Sequence, residues 1–87
     1  MKQKQFEDMI RFMKRENQIM GWNELDVTVE GLLKTADSED EKECSAAVLA
    51  CMLEGDQFLK GSAQTPDKDL AVRYYCDNLS DSRRRLF

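Results

Sequence analysis

Histidine is absent from this 87-residue chain, and that one absence excludes a large share of enzyme chemistry. It removes Ser/His and Cys/His nucleophile pairs, most zinc sites and the usual general base near neutral pH. A ferritin-like metal site, which needs Glu-x-x-His repeats facing inward across helices, goes with it. Glycine is scarce: Gly55 and Gly61 stand alone with no Lys-Ser pair after them, so no phosphate-cradling loop is present. Asp37-Ser38-Glu39-Asp40-Glu41 has neither the spacing nor the following glycine of a calcium loop. The expectation is a non-enzymatic protein with no catalytic residue, no bound metal and no cofactor.

Long apolar runs are missing too, so no membrane span is expected, and Met1-Lys2-Gln3 does not open a signal peptide. Cys44, Cys51 and Cys76 form an odd set without a C-x-x-C pair, which fits reduced thiols in a cytoplasmic protein. On a helix Cys44 and Cys51 would lie about 10 Å apart along the axis, too far for a disulfide. The apolar neighbours of Cys51 would not lower its thiol pKa, so buried structural cysteine is the expected role.

Charge is present but segregated. The net value is −4. Residues 1–18 carry five basic and three acidic groups, residues 19–56 two basic and ten acidic, and residues 57–87 six basic and four acidic. An acidic middle is a poor match for nucleic acid, whose binding needs clustered lysine and arginine. It suits a basic protein partner better, through Asp37, Glu39, Asp40, Glu41 and Glu43. The pairs Asp37/Asp40 and Glu39/Glu43 share helix faces, but solvation there argues against acid–base work. Arg83-Arg84-Arg85 is a short basic cluster of the kind that a helix C-terminus attracts through its dipole.

Periodicity predicts an all-α bundle of four antiparallel helices near residues 3–20, 24–36, 39–60 and 66–80. It forms one domain over 1–87 with a short basic tail at 80–87. The run CSAAVLACML, Cys44–Leu53, has no charged face and is expected to form the central part of the third helix. In the first helix Phe6, Met9, Ile10, Met13 and Met20 fall on one arc, while Phe12 and Ile19 form a second stripe. Gly21 is expected to cap it in the left-handed region. Trp22 is then placed to staple onto a helix capped by Asn23. Leu25, Val27 and Val29 alternate as a strand would, but with no strand to pair with, helix is preferred over 24–36. Ser38 and Glu41 have capping-box spacing, and Thr65-Pro66 reads as the start of the last helix. With Gly61 as a turn, that last helix would lead with Asp67, Lys68 and Asp69, which argues against a DNA-reading role.

Phe6 to Ala36, with Arg15-Glu16-Asn17 and Leu25-Asp26-Val27, is loosely similar to the first two helices of the DNase-colicin immunity proteins. Tyr74-Tyr75 and Asp77-Asn78 resemble that family's paired tyrosines and following Asp-Asn, although an extra helix intervenes and the family's final helix is missing. The similarity implies that an acidic helical protein of this size can inhibit a basic enzyme. Arg84-Arg85-Leu86-Phe87 resembles the R-x-L-F cyclin-docking peptide, or it folds back onto the domain. The leading expectation is a small helical adaptor or regulator that docks a protein through Phe12, Ile19 and Trp22 and forms a homo-oligomer. The alternative is an acidic inhibitor or nucleic-acid mimic that uses the 37–43 segment.

Overall fold

The computed structural model describes residues 1–76 and 83–87. Among these residues three helices and three strands follow in the order α1 Gln3–Ile19, β1 Glu24–Thr28, α2 Val29–Ala36, α3 Glu41–Ala50, β2 Gln57–Lys60 and β3 Ala71–Tyr75. The strands make an antiparallel sheet in the order β1-β3-β2. The fold is therefore α+β, and the expected all-α four-helix bundle is wrong. The helix expected over 24–36 is a strand followed by a shorter helix. The one expected over 39–60 ends at Ala50 and gives way to β2. The one expected over 66–80 is loop and β3 as far as the described residues reach, and 77–80 of it lie outside them.

α1 behaves as its spacing requires. Phe6 and Ile10 are fully buried and Met9 and Met13 pack beside them, but Met20 is exposed. Gly21 closes the helix at φ 81°. The Trp22 N–H donates to the Asn17 carbonyl at 2.9 Å and the Gly21 N–H to that of Gln18 at 3.0 Å. This is the Schellman ending expected of a left-handed glycine cap. Trp22 does not staple onto a helix, because Asn23 leads into β1 and its carbonyl accepts from the Cys76 N–H.

β1 points Leu25 and Val27 inward and Glu24, Asp26 and Thr28 outward. Its partner is β3, which places Leu25 opposite Tyr74 and Val27 opposite Val72. On the outer face Arg73 lies opposite Asp26 and grips its carboxylate through Nε at 2.8 Å and Nη2 at 3.0 Å. That hydrogen-bonded guanidinium holds the Asp26 carboxyl below its usual range. Thr28 ends the strand and caps α2, its hydroxyl accepting the Gly31 N–H at 2.9 Å. Thr28→Val keeps the branched shape and removes the acceptor. Urea denaturation should show a loss of about 1 kcal/mol with the far-UV spectrum unchanged.

α3 starts at Glu41, and the Ser38–Glu41 capping box does not form. The Ser38 hydroxyl accepts the Asp40 N–H at 3.2 Å instead. α3 buries Cys44, Ser45, Ala47 and Val48 against α1 and α2. Beyond it the chain turns at Gly55 and enters β2. Gly61 opens the β2–β3 loop at φ 83°, a conformation that favours glycine, and a Cβ there would lie 3.3 Å from Leu70 Cδ1, so Leu70 would have to shift. That loop returns to α2: the Leu70 and Lys68 carbonyls accept the Val29 and Glu30 N–H groups, both at 3.0 Å. Donors that a helix start leaves without partners are satisfied this way.

Candidate functional site

α2, the four residues 37–40 and α3 follow one another as helix, turn and helix. The turn is at Asp37, a non-glycine residue in the left-handed region at φ 51°. It does not lie at Gly61, where the sequence suggested a turn. The β-hairpin β2–β3 flanks the motif as a wing. Its Pro66 faces α3 across a groove of about 500 Å³ lined by Glu41, Lys42, Ser45, Ala46, Leu49 and Pro66. Ala46, Leu49 and Pro66 are its apolar lining, and Glu41 and Lys42 its charged lining.

Of the acidic residues singled out in the sequence, only Glu41 is among those that line this groove. Glu43 is half-buried in the same first turn of α3. Asp37, Glu39 and Asp40 occupy the turn and line a shallow depression with Glu30 and Lys34. Asp40 is committed to structure, since the N-terminal ammonium hydrogen-bonds its carboxylate and holds its pKa below the usual range. Phe12, Ile19 and Trp22 form a different surface. They are 63%, 71% and 58% exposed, and Phe12 and Ile19 lie on the side of α1 away from Phe6 and Ile10.

The cysteines have the bland role expected of them. Cys44 and Cys51 are free and buried, and Cys76 is buried with its thiol donating to the Tyr74 carbonyl. Desolvation pushes the Cys44 thiol up to about 11 and raises Cys51 as well. Burial also raises the Tyr74 phenol. Among the described residues no cluster of Cys, Asp and Glu is placed to hold a metal ion. These shifts predict an alkaline instability. Each neutral group is favoured by folding, so its contribution is complete below the unfolded-state pKa and is lost as pH rises toward the folded one. Lys14, lowered by desolvation, works in the opposite direction, but it is one group against three. The melting temperature should fall once pH passes 9.0, the ordinary cysteine value. Cys44→Ala should flatten that fall in a pH series followed by circular dichroism.

One residue the sequence did not flag organises the end of the hairpin. Asp56 is buried, and its carboxylate accepts the Leu53 N–H and the Tyr75 N–H, both at 2.9 Å, and Arg83 Nη1 at 3.0 Å. Arg83 also donates to the Glu54 and Tyr75 carbonyls. The arginine triplet is therefore divided: Arg83 braces the fold and Arg84 and Arg85 are exposed. The last residues fold back, with the Leu86 N–H on the Met52 carbonyl and Phe87 edge-on to Phe58 at 6.1 Å.

Compared with protein-family models, with curated proteins and with solved structures, the chain matches none. No helix among the described residues is long and apolar enough to cross a membrane.

Proposed function

We propose that the chain is a non-enzymatic regulator whose helix-turn-helix receives a protein. The partner would be a basic segment that inserts one apolar side chain between α3 and the β-hairpin wing. The observation that carries this reading is the composition of the α3–wing groove. Where a DNA reader presents cations and amides to phosphates and base edges, this groove offers Ala46, Leu49 and Pro66, with Glu41 beside Lys42. Glu41 and Glu43 outnumber Lys42 in the first turn of α3, and Asp67 and Asp69 surround Lys68 in the loop after Pro66. Phosphates would be repelled by this surface, and lysine or arginine flanking an apolar anchor would be attracted. The unpaired thiols of Cys44 and Cys51 fit a cytoplasmic setting. The reading follows the acidic-inhibitor expectation and leaves Phe12, Ile19 and Trp22, the residues of the adaptor expectation, outside the groove.

The test is amide chemical-shift mapping with two probes, a short lysine- and leucine-rich peptide and a mixed-sequence DNA duplex. The peptide should shift the amides of Glu41–Leu49 and of the loop around Pro66, with affinity that weakens as salt rises. The duplex should shift none of them. Saturable duplex binding on α3, or peptide shifts confined to other surfaces, would overturn the proposal.

A further inference from the structure

The outer face of α1 carries a seam that no element among the described residues covers. Phe12 and Ile19 are seven residues apart and exposed, and Met20 and Trp22 extend the apolar surface past the helix end. At about 100° per residue, Phe12 and Ile19 lie within roughly 20° of one another. Their direction is about 150° from that of the buried pair Phe6 and Ile10. A helix laid on this seam would therefore meet the side of α1 opposite the core.

The residues beside the seam indicate which helix that is. Arg15 lies about 50° to one side of the seam and Glu16 about 50° to the other, at nearly the same height. Among the described residues neither side chain has an ion-pair partner, although Lys4, Asp8, Arg11 and Glu7 on the same helix are all paired. Two copies of α1 related by a two-fold axis along the helices would stack Phe12 on Phe12 and Ile19 on Ile19. Each Arg15 would then face the Glu16 of the other copy. An antiparallel pair would set Glu16 against Glu16 and Arg15 against Arg15. We infer that α1 is a self-association surface and that its occupant is a second copy of this chain in parallel orientation, with the seam flanked by two reciprocal Arg15–Glu16 pairs.

This surface is separate from the α3–wing groove, so the two readings succeed or fail independently. The experiment is sedimentation equilibrium of the full chain under reductant over a wide concentration range, together with variants and an oxidative cross-link. A reversible dimer is expected. Glu16→Arg should weaken it at least tenfold, and the double swap Arg15→Glu with Glu16→Arg should restore it. Ile19→Cys should form a disulfide-linked dimer on mild oxidation, because the two-fold axis brings the two positions together. Phe12→Asp with Ile19→Asp should give a monomer with an unchanged far-UV spectrum. A chain that stays monomeric throughout would overturn the inference. So would a dimer that survives the double aspartate change, or an Ile19→Cys chain that forms no cross-link.

Discussion

Replacing Asp56 with alanine should lower the unfolding free energy by about 3 kcal/mol and the melting temperature by about 12–24 °C. The cost comes from what the carboxylate leaves behind. It holds Leu53 N–H on one oxygen and Tyr75 N–H and Arg83 Nη1 on the other. Removing it strands two backbone donors and leaves a guanidinium that is only 24% exposed with carbonyl partners but without its carboxylate. An unsatisfied buried donor costs more than a hydrogen bond contributes net. Asp56→Asn should cost less. Its amide oxygen still accepts one of the two N–H groups, while the charge attraction to Arg83 is lost. In the double variant Asp56→Ala with Arg83→Ala, the combined loss should fall short of the sum of the singles, because the second change removes the stranded cation. Urea denaturation of the four proteins supplies the cycle. Strict additivity would mean that Arg83 does not depend on Asp56.

How much of this was legible in the sequence differs from one segment to the next. α1 and its ending were readable because their determinants are local: the Phe6–Ile10 arc, the opposite Phe12–Ile19 stripe and a glycine one residue past the cap. The sheet was misread through a single coupled error. Leu25, Val27 and Val29 alternate visibly, yet a strand needs a neighbour, and its neighbour is β3. Leu70, Val72, Tyr74 and Cys76 are all buried and alternate with period two. Leu70, Ala71, Tyr74 and Tyr75 also satisfy a helical spacing, and Thr65-Pro66 looks like a helix start. With β3 taken as a helix, β1 had no partner and became a helix in turn. The third helix was overextended for a related reason. Cys44–Leu53 is apolar all round because a helix and the buried stretch after it share the core, and periodicity does not mark where one becomes the other. At the candidate site, the acidic turn was legible as charge, whereas the groove was not. Pro66 comes from a loop 17 residues beyond Leu49 in sequence, and only the hairpin brings them together. Asp56 was hidden in the same way, since its partners Tyr75 and Arg83 lie 19 and 27 residues away.

Tyr74→Ala should be the most damaging single change in the domain, at about 4 kcal/mol. Tyr74 is fully buried on the central strand, and it joins three elements at once. Its ring faces Leu25 across the sheet, its hydroxyl donates to the Val48 carbonyl of α3 at 2.6 Å, and the Lys14 ammonium of α1 sits 4.5 Å from the ring centroid. Lys14 donates in turn to the Cys51 carbonyl at 3.3 Å, at the end of α3. Truncation to alanine opens a cavity between sheet and helices, leaves the Val48 carbonyl without its phenol and removes the ring that offsets the burial of Lys14. A chain of this length has a total stability of about 4–13 kcal/mol, so this one change removes between about a third and all of it. Tyr74→Phe separates the contributions. It keeps the ring and its attraction for Lys14 and loses only the hydroxyl, so it should cost about 1–2 kcal/mol with the native spectrum retained. Far-UV circular dichroism at rising urea distinguishes the two. Equal losses for the two variants would place the whole effect on the Val48 hydrogen bond, and a negligible loss for Tyr74→Phe would place it on packing.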